Sequence, residues 1–254
     1  MIEVQQLSKR FTQGRGKKAR TVQAVDGVSF TAADGRITGL LGPNGAGKTT
    51  TLRMLAALLV PDAGRLRVDG IDVQREPQAA LARMGVLSDA RGLYPRLTAR
   101  ENIVYYGRLH GMSESAASQR AETLAHLLDM KPLLERRTEG FSQGERMKTA
   151  LARAMVHNPP NIILDEPTNG LDVLATRALR DALRRLRDIE GKCVVFSTHI
   201  MQEVERLCDR VIVIAHGRTV AEGTVASLNA QCAERDFEES FVKLAFSAEE
   251  RTQA

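Results

Sequence analysis

Two short stretches of this 254-residue chain place reactive side chains at spacings that chemistry can use. The first is Gly42-Pro43-Asn44-Gly45-Ala46-Gly47-Lys48-Thr49, followed by Thr50. Its glycines let backbone N–H groups turn inward on one anion at a helix N-terminus, the pattern of a phosphate-binding loop. In that pattern the Lys48 ammonium neutralises phosphate oxygens and the Thr49 hydroxyl ligates Mg2+. The second is Asn161-Ile162-Ile163-Leu164-Asp165-Glu166, an apolar run ending in two carboxylates. At the C-terminal end of a strand, Asp165 would face the nucleotide's metal and Glu166 would act as general base on the attacking water. By itself a strand followed by Asp-Glu is a solvated strand end; beside a phosphate loop it becomes the second half of a nucleotide site.

The elements that must position these groups are legible in the apolar spacing. Arg36-Ile37-Thr38-Gly39-Leu40-Leu41 follows the turn signal Asp34-Gly35 and reads as a buried strand running straight into the glycine loop. Residues 50–59 then show helical spacing. Residues 2–7 and 22–32 alternate like half-buried strands, with the basic stretch 13–20 as an exposed hairpin loop between them, and 66–73 is a further hairpin signal. Residues 98–142 show no strand pattern but helical segments at 99–109, 116–128 and 132–136. After the carboxylates come a long amphipathic helix at 173–189 and strands at 193–197 and 210–214. Strands separated by helices imply a parallel sheet, and the early hairpins imply an antiparallel piece.

Three further motifs stand in order around the first two. Phe141-Ser142-Gln143-Gly144-Glu145 opens a helix upstream of the carboxylates; Pro167-Thr168-Asn169-Gly170-Leu171-Asp172 follows them; Ser197-Thr198-His199 ends a strand. With these, residues 2 to about 228 resemble the ATP-binding cassette (ABC) ATPases. The resemblance implies an α/β fold of the P-loop NTPase, ABC ATPase type: a mixed sheet core, an antiparallel β subdomain and a helical insert at about 90–157. The ATPase domain would cover 1–228 and a short tail 229–254. Phe141–Glu145 sits where the family has Leu-Ser-Gly-Gly-Gln in its commonest form. Ser142 and Gly144 keep the hydroxyl and the unhindered backbone that meet a γ-phosphate, whereas Gln143 and Glu145 depart from the usual residues. Ser142 also reads as a plain N-cap, which is compatible with that role.

In the same resemblance Asp172 belongs to the loop that passes between two subunits, and His199 matches the histidine that contacts the γ-phosphate. His110, His126 and His157 have no such context. Phe11 is either the aromatic that stacks on adenine or a core aromatic closing the first strand. Asp89 stands where the family normally has a Gln that touches Mg2+ and links the core to the helical insert; Asp can also ligate Mg2+, but it adds negative charge near the phosphates. Residues 87–102 resemble the ATPases of sodium-extruding ABC exporters. The family implies a head-to-tail homodimer, or a heterodimer with a related ATPase, with two ATP molecules and Mg2+ at the interface. One subunit would supply Lys48, Thr49, Asp165, Glu166 and His199, and the other Ser142 and Gly144.

Composition narrows the partners. Hydrophobic residues make up 43% and charged residues 26%, ordinary for a globular chain, and no run approaches the roughly 18 apolar residues a membrane span needs. A transporter reading therefore requires a separate transmembrane permease, with this chain at the cytoplasmic face of the cell membrane. Residues 237–244 resemble the C-terminal ends of exporter ATPases that pair with six-helix permeases, which favours export. The net charge of +5 fits polyphosphate, lipid headgroups or nucleic acid and chooses none of them. Aromatics at 4% with no Trp make base-stacking platforms unlooked for, and nucleic acid is not an expected partner. The alternative function, a soluble ABC ATPase acting on ribosomes or DNA, usually comes with two cassettes or a long coiled coil; neither pattern is present. Cys193, Cys208 and Cys232 are odd in number and widely spaced, as in reduced core thiols rather than disulfides or a metal site.

Overall fold

The computed structural model describes residues 1–13, 20–88 and 92–252, with side chains to residue 246 in the last helix. Two sheets carry the fold. β1 (Ile2–Gln13) and β2 (Arg20–Ala32) form a long antiparallel pair from Ile2 opposite Ala32 to Gln13 opposite Arg20. The basic hairpin residues between them lie outside the described residues, as does Asp89. β1 also pairs with β4 (Ala63–Val68), and β4 with β5 (Ile71–Asp72), giving the order β2-β1-β4-β5. Val4 and Leu7 are both buried although three residues apart, because the register shifts between them at Gln6, whose φ is 48°. The bulge returns Leu7 to the core face. Opposite it Gly64, at φ 96°, has no room for a side chain: a Cβ would lie 2.5 Å from the Gln6 carbonyl oxygen.

The second sheet has the order β10-β9-β3-β8-β7-β6, with β3 (Ile37–Leu41), β6 (Met84–Leu87), β7 (Asn161–Leu164), β8 (Cys193–Thr198), β9 (Arg210–Ala215) and β10 (Arg218–Gly223). β9, β3, β8, β7 and β6 run parallel and β10 antiparallel, so the sheet is mixed. Every residue of β3, β7 and β8 is buried, as expected of parallel strands covered on both faces. Along β7 and β8 the period of two divides the core. Ile162, Val194 and Phe196 face one hydrophobic cluster, and Ile163 and Val195 face the other.

The second of these clusters is closed by the antiparallel sheet and by α1 (Lys48–Leu55) through Leu52 and Leu55. The first is closed by helices: α3 (Ala99–Leu109), α4 (Glu114–Leu127), α5 (Gln143–Ala154) and α6 (Val173–Asp188), after a short α2 (Pro77–Leu81) on the other side. Ile103, Leu124, Leu151 and Leu183 make one apolar body with Phe196, so the helical layer is packed onto the sheet rather than tethered to it. A third cluster joins Leu41, Val211 and Val213 to α7 (Met201–Leu207), α8 (Val225–Cys232) and α9 (Phe237–Thr252) through Val204, Leu228, Phe237, Phe241 and Ala245. The segment after residue 228 is thus anchored on β9. No described helix is long and apolar enough to cross a membrane.

Candidate functional site

Parallel strands end on one edge of their sheet, and that geometry assembles the site. β3 stops at Leu41, β7 at Leu164 and β8 at Thr198, so Gly42, Asp165-Glu166 and His199 emerge side by side. The glycine loop then turns into α1 at Gly47, whose φ of 102° suits only glycine. A Cβ there would meet the Ala24 carbonyl oxygen at 2.4 Å, and one on Gly42 would meet the Ile214 carbonyl oxygen at 2.0 Å. Asn44 to Thr50 line a cavity of about 150 Å3 together with Ala24 and Glu166. Ala24 was not legible as part of the site, since it lies on β2 of the other sheet.

Lys48 is 4% exposed and donates to the carbonyls of Gly42 at 2.7 Å and Pro43 at 3.0 Å. Its Nζ lies 3.9 Å from Glu166 Oε1. Burial lowers its pKa from the ordinary lysine value, opposed by the charges of Glu166 and then Asp165. The Thr49 hydroxyl donates to Asp165 Oδ1 at 3.0 Å. Two hard oxygen donors in contact on a buried edge are the set a Mg2+ ion takes, so the residues present fit that ion. Glu166 has a φ of 44°, uncommon for a non-glycine residue, and its Oε1 lies 3.3 Å from His199 Nδ1.

The structure therefore brings together Gly42–Thr50, Asp165, Glu166 and His199. It puts the remaining described candidates elsewhere. Ser142 caps α5: its Oγ accepts from the Glu145 N–H at 3.2 Å, and its own N–H donates to Glu145 Oε2 at 2.8 Å. That N–H and the Arg136 guanidinium, 2.8 Å away, hold the Glu145 carboxyl below its usual range. Asp172 caps α6 in the same way, accepting from the Ala175 N–H at 2.8 Å. The two helix starts touch, because a Cβ on Gly144 would lie 2.9 Å from the Ala175 Cβ. Gln143 lines a separate cavity of about 620 Å3 with Gly140, Arg146, Asn169 and Gly170. Phe11 is half-buried on β1 opposite Val22, with Lys9 Nζ 5.8 Å from its ring centre.

One residue that the sequence did not single out joins the first set. Ser197 is fully buried and hydrogen-bonded to both Asp165 and Glu166. Its signal in the sequence is its place in Ser197-Thr198-His199, a polar end to an apolar strand, which marked His199 rather than Ser197 as the site residue.

Comparison with known proteins agrees with this geometry. Residues 25–169 match the family model described as ABC transporter. The chain is 44% identical over 229 residues to the ABC transporter ATP-binding protein NatA of Bacillus subtilis, covering 90% of this chain and 91% of that one. It is 43% identical over 204 residues to the Nod factor export ATP-binding protein I of Paraburkholderia xenovorans, covering 80% and 67%. Among solved structures, a bacterial ABC transporter cassette determined as a dimer superposes with a TM-score of 0.78 at 25% identity, over 88% of this chain and 98% of the other. Loop, carboxylates and fold thus agree with sequence kinship, and the chain belongs to the ATP-binding, ATP-hydrolysing subunits of ABC transporters.

Proposed function

We propose that this ATPase works as a head-to-tail dimer that drives a separate membrane-embedded permease in export. The observation that carries the dimer is that the glycine-loop cavity and the α5 start bearing Ser142, Gln143 and Gly144 are separate places on one chain, Gln143 lining a cavity of its own. Two copies facing each other would close each ATP between Gly42–Thr50, Asp165, Glu166 and His199 of one and Ser142, Gln143, Gly144 and Asp172 of the other. The similar cassette described as dimeric supports this arrangement. The relative described as a Nod factor export protein supports the direction of transport.

Within each site the chain's own groups divide the work. Loop N–H groups receive phosphate oxygens, and Lys48 exchanges the carbonyls of Gly42 and Pro43 for a phosphate. Glu166 takes the proton of the attacking water, oriented by His199 at 3.3 Å. Thr49 and Asp165 would hold Mg2+, which when bound neutralises charge on the phosphate oxygens. Cleavage removes the γ-phosphate that bridges the copies, so the dimer opens and the motion reaches the permease through the helical layer and the Asp89 loop. Sodium is the cargo that residues 87–102 favour. The ATPase would sit at the cytoplasmic face of the membrane, held there by the permease.

Affinity capture of the tagged chain from its own detergent-solubilised cells tests the reading. A polytopic membrane protein should co-purify and confer ATP-dependent efflux on vesicles. Ribosomes or DNA in its place would overturn the transporter assignment.

A further inference from the structure

Ser197 stands one residue beyond Phe196, the last β8 residue paired with β7, and so beside Asp165, which follows the partner residue Leu164. Its side chain is 0% exposed and makes two hydrogen bonds into the site. The backbone N–H of Glu166 can only donate, and it does so to Ser197 Oγ at 3.0 Å. The hydroxyl's single proton is therefore directed to Asp165 Oδ1, 2.6 Å away. That oxygen also accepts the Thr49 hydroxyl at 3.0 Å. Two hydroxyl protons converge on one carboxylate oxygen and fix the carboxylate's direction, while the oxygen lone pairs of Thr49 stay free for a cation.

The same serine holds the next residue. Glu166 sits at φ 44°, a region that non-glycine residues rarely occupy, and its N–H bond to Ser197 pins that turn. From there its carboxylate reaches His199 at 3.3 Å and Lys48 at 3.9 Å. One hydroxyl thus orients the metal-holding carboxylate through its proton and the basic carboxylate through its lone pair. A serine that only satisfied a buried amide would leave Asp165 untouched; this one bonds it at the shorter of its two distances.

We infer that Ser197 is a positioning residue for ATP hydrolysis, acting through Asp165 and Glu166. The inference rests on the roles proposed above for those two carboxylates. Three variants test it. Ser197→Ala removes the hydroxyl without adding volume, and Ser197→Thr and Ser197→Val add the same branched shape with and without a hydroxyl. Loss of a hydrogen bond to a charged group predicts a kcat reduced about tenfold to a hundredfold in Ser197→Ala, with KM for ATP within about threefold. Binding of a fluorescent ATP analogue should need several-fold more Mg2+ in Ser197→Ala yet be unchanged in EDTA. Ser197→Thr should exceed Ser197→Val in kcat by about tenfold.

A Ser197→Ala enzyme with parental kcat and Mg2+ dependence overturns the inference, as do Thr and Val variants of equal kcat. Glu166→Gln, measured alongside, separates the two levels. Lost turnover in Glu166→Gln with normal turnover in Ser197→Ala defeats this inference alone. Normal turnover in both defeats the underlying roles.

Discussion

Ser142 has a structural job visible within one chain and a proposed job in a second chain, and two substitutions separate them. Ser142→Ala removes the bond from the Glu145 N–H to Oγ, 3.2 Å long, but leaves the reciprocal bond from the Ser142 N–H to Glu145 at 2.8 Å. Loss of an N-cap of this kind costs about 1 kcal/mol. For a chain of this size that lowers Tm by about 2–4 °C. Ser142→Asp restores the cap and adds a negative charge at the N-terminus of α5, where the helix dipole favours it, so its Tm should equal or exceed the parent's. Against a partner's γ-phosphate the same carboxylate is unfavourable. Two unit charges about 4 Å apart near a protein surface repel by roughly 4 kcal/mol, on the order of a thousandfold in association. Thermal melts and ATP-driven dimerisation followed by sedimentation should therefore diverge: Ser142→Ala less stable and partly active, Ser142→Asp fully stable and unable to associate. A Ser142→Asp chain that dimerises with ATP as the parent does would refute the placement of Ser142 against phosphate.

Three other expectations follow from the same geometry. Lys48→Ala should lose most affinity for ATP in a filter-binding assay, because a buried cation facing the loop carbonyls has no substitute; tight binding by the variant would contradict its role. Gly47→Ala puts a Cβ 2.4 Å from the Ala24 carbonyl oxygen at a φ of 102°, and denaturant titration should show at least about 1–3 kcal/mol of lost stability. His157, stacked on His110 with ring centres 3.7 Å apart, has its pKa lowered to about 4, by burial first and then by the His110 charge. The unfolded chain therefore binds more protons than the folded one between its ordinary value of 6.5 and about 4. Stability contributed by this group is complete above that window and is lost as the pH falls through it. His157→Gln should flatten the decline of Tm across that range; an unchanged slope would exclude His157 as its source.

The parts legible in the sequence are those written in consecutive residues. A phosphate loop is defined by local backbone freedom, so Gly42–Thr49 declares itself, and so does the cap at Ser142. The two-residue alternation marked β1 until Gln6, where the bulge shifts the register by a step that spacing alone does not encode. β6 is four residues long and β10 carries only two buried residues, so neither shows enough periodicity to stand out. Relations across strands were the hardest to read. Ala24 reaches the glycine loop from another sheet, and Ser197 finds Asp165 only through the parallel pairing of β7 and β8. Both depend on strand order, which no local pattern states. Phe11 stays half-buried on its strand beside Lys9, outside the three hydrophobic clusters, so it is not a core aromatic.

The central claim is that ATP closes two copies of this chain around a site that neither copy completes. Glu166→Gln tests it most directly, because it should preserve nucleotide binding while slowing cleavage by orders of magnitude. Light scattering of that variant with Mg2+ and ATP should give twice the 27.9 kDa mass of the chain, reverting to the single mass with ADP. A variant that binds ATP yet stays at the single mass would contradict the account.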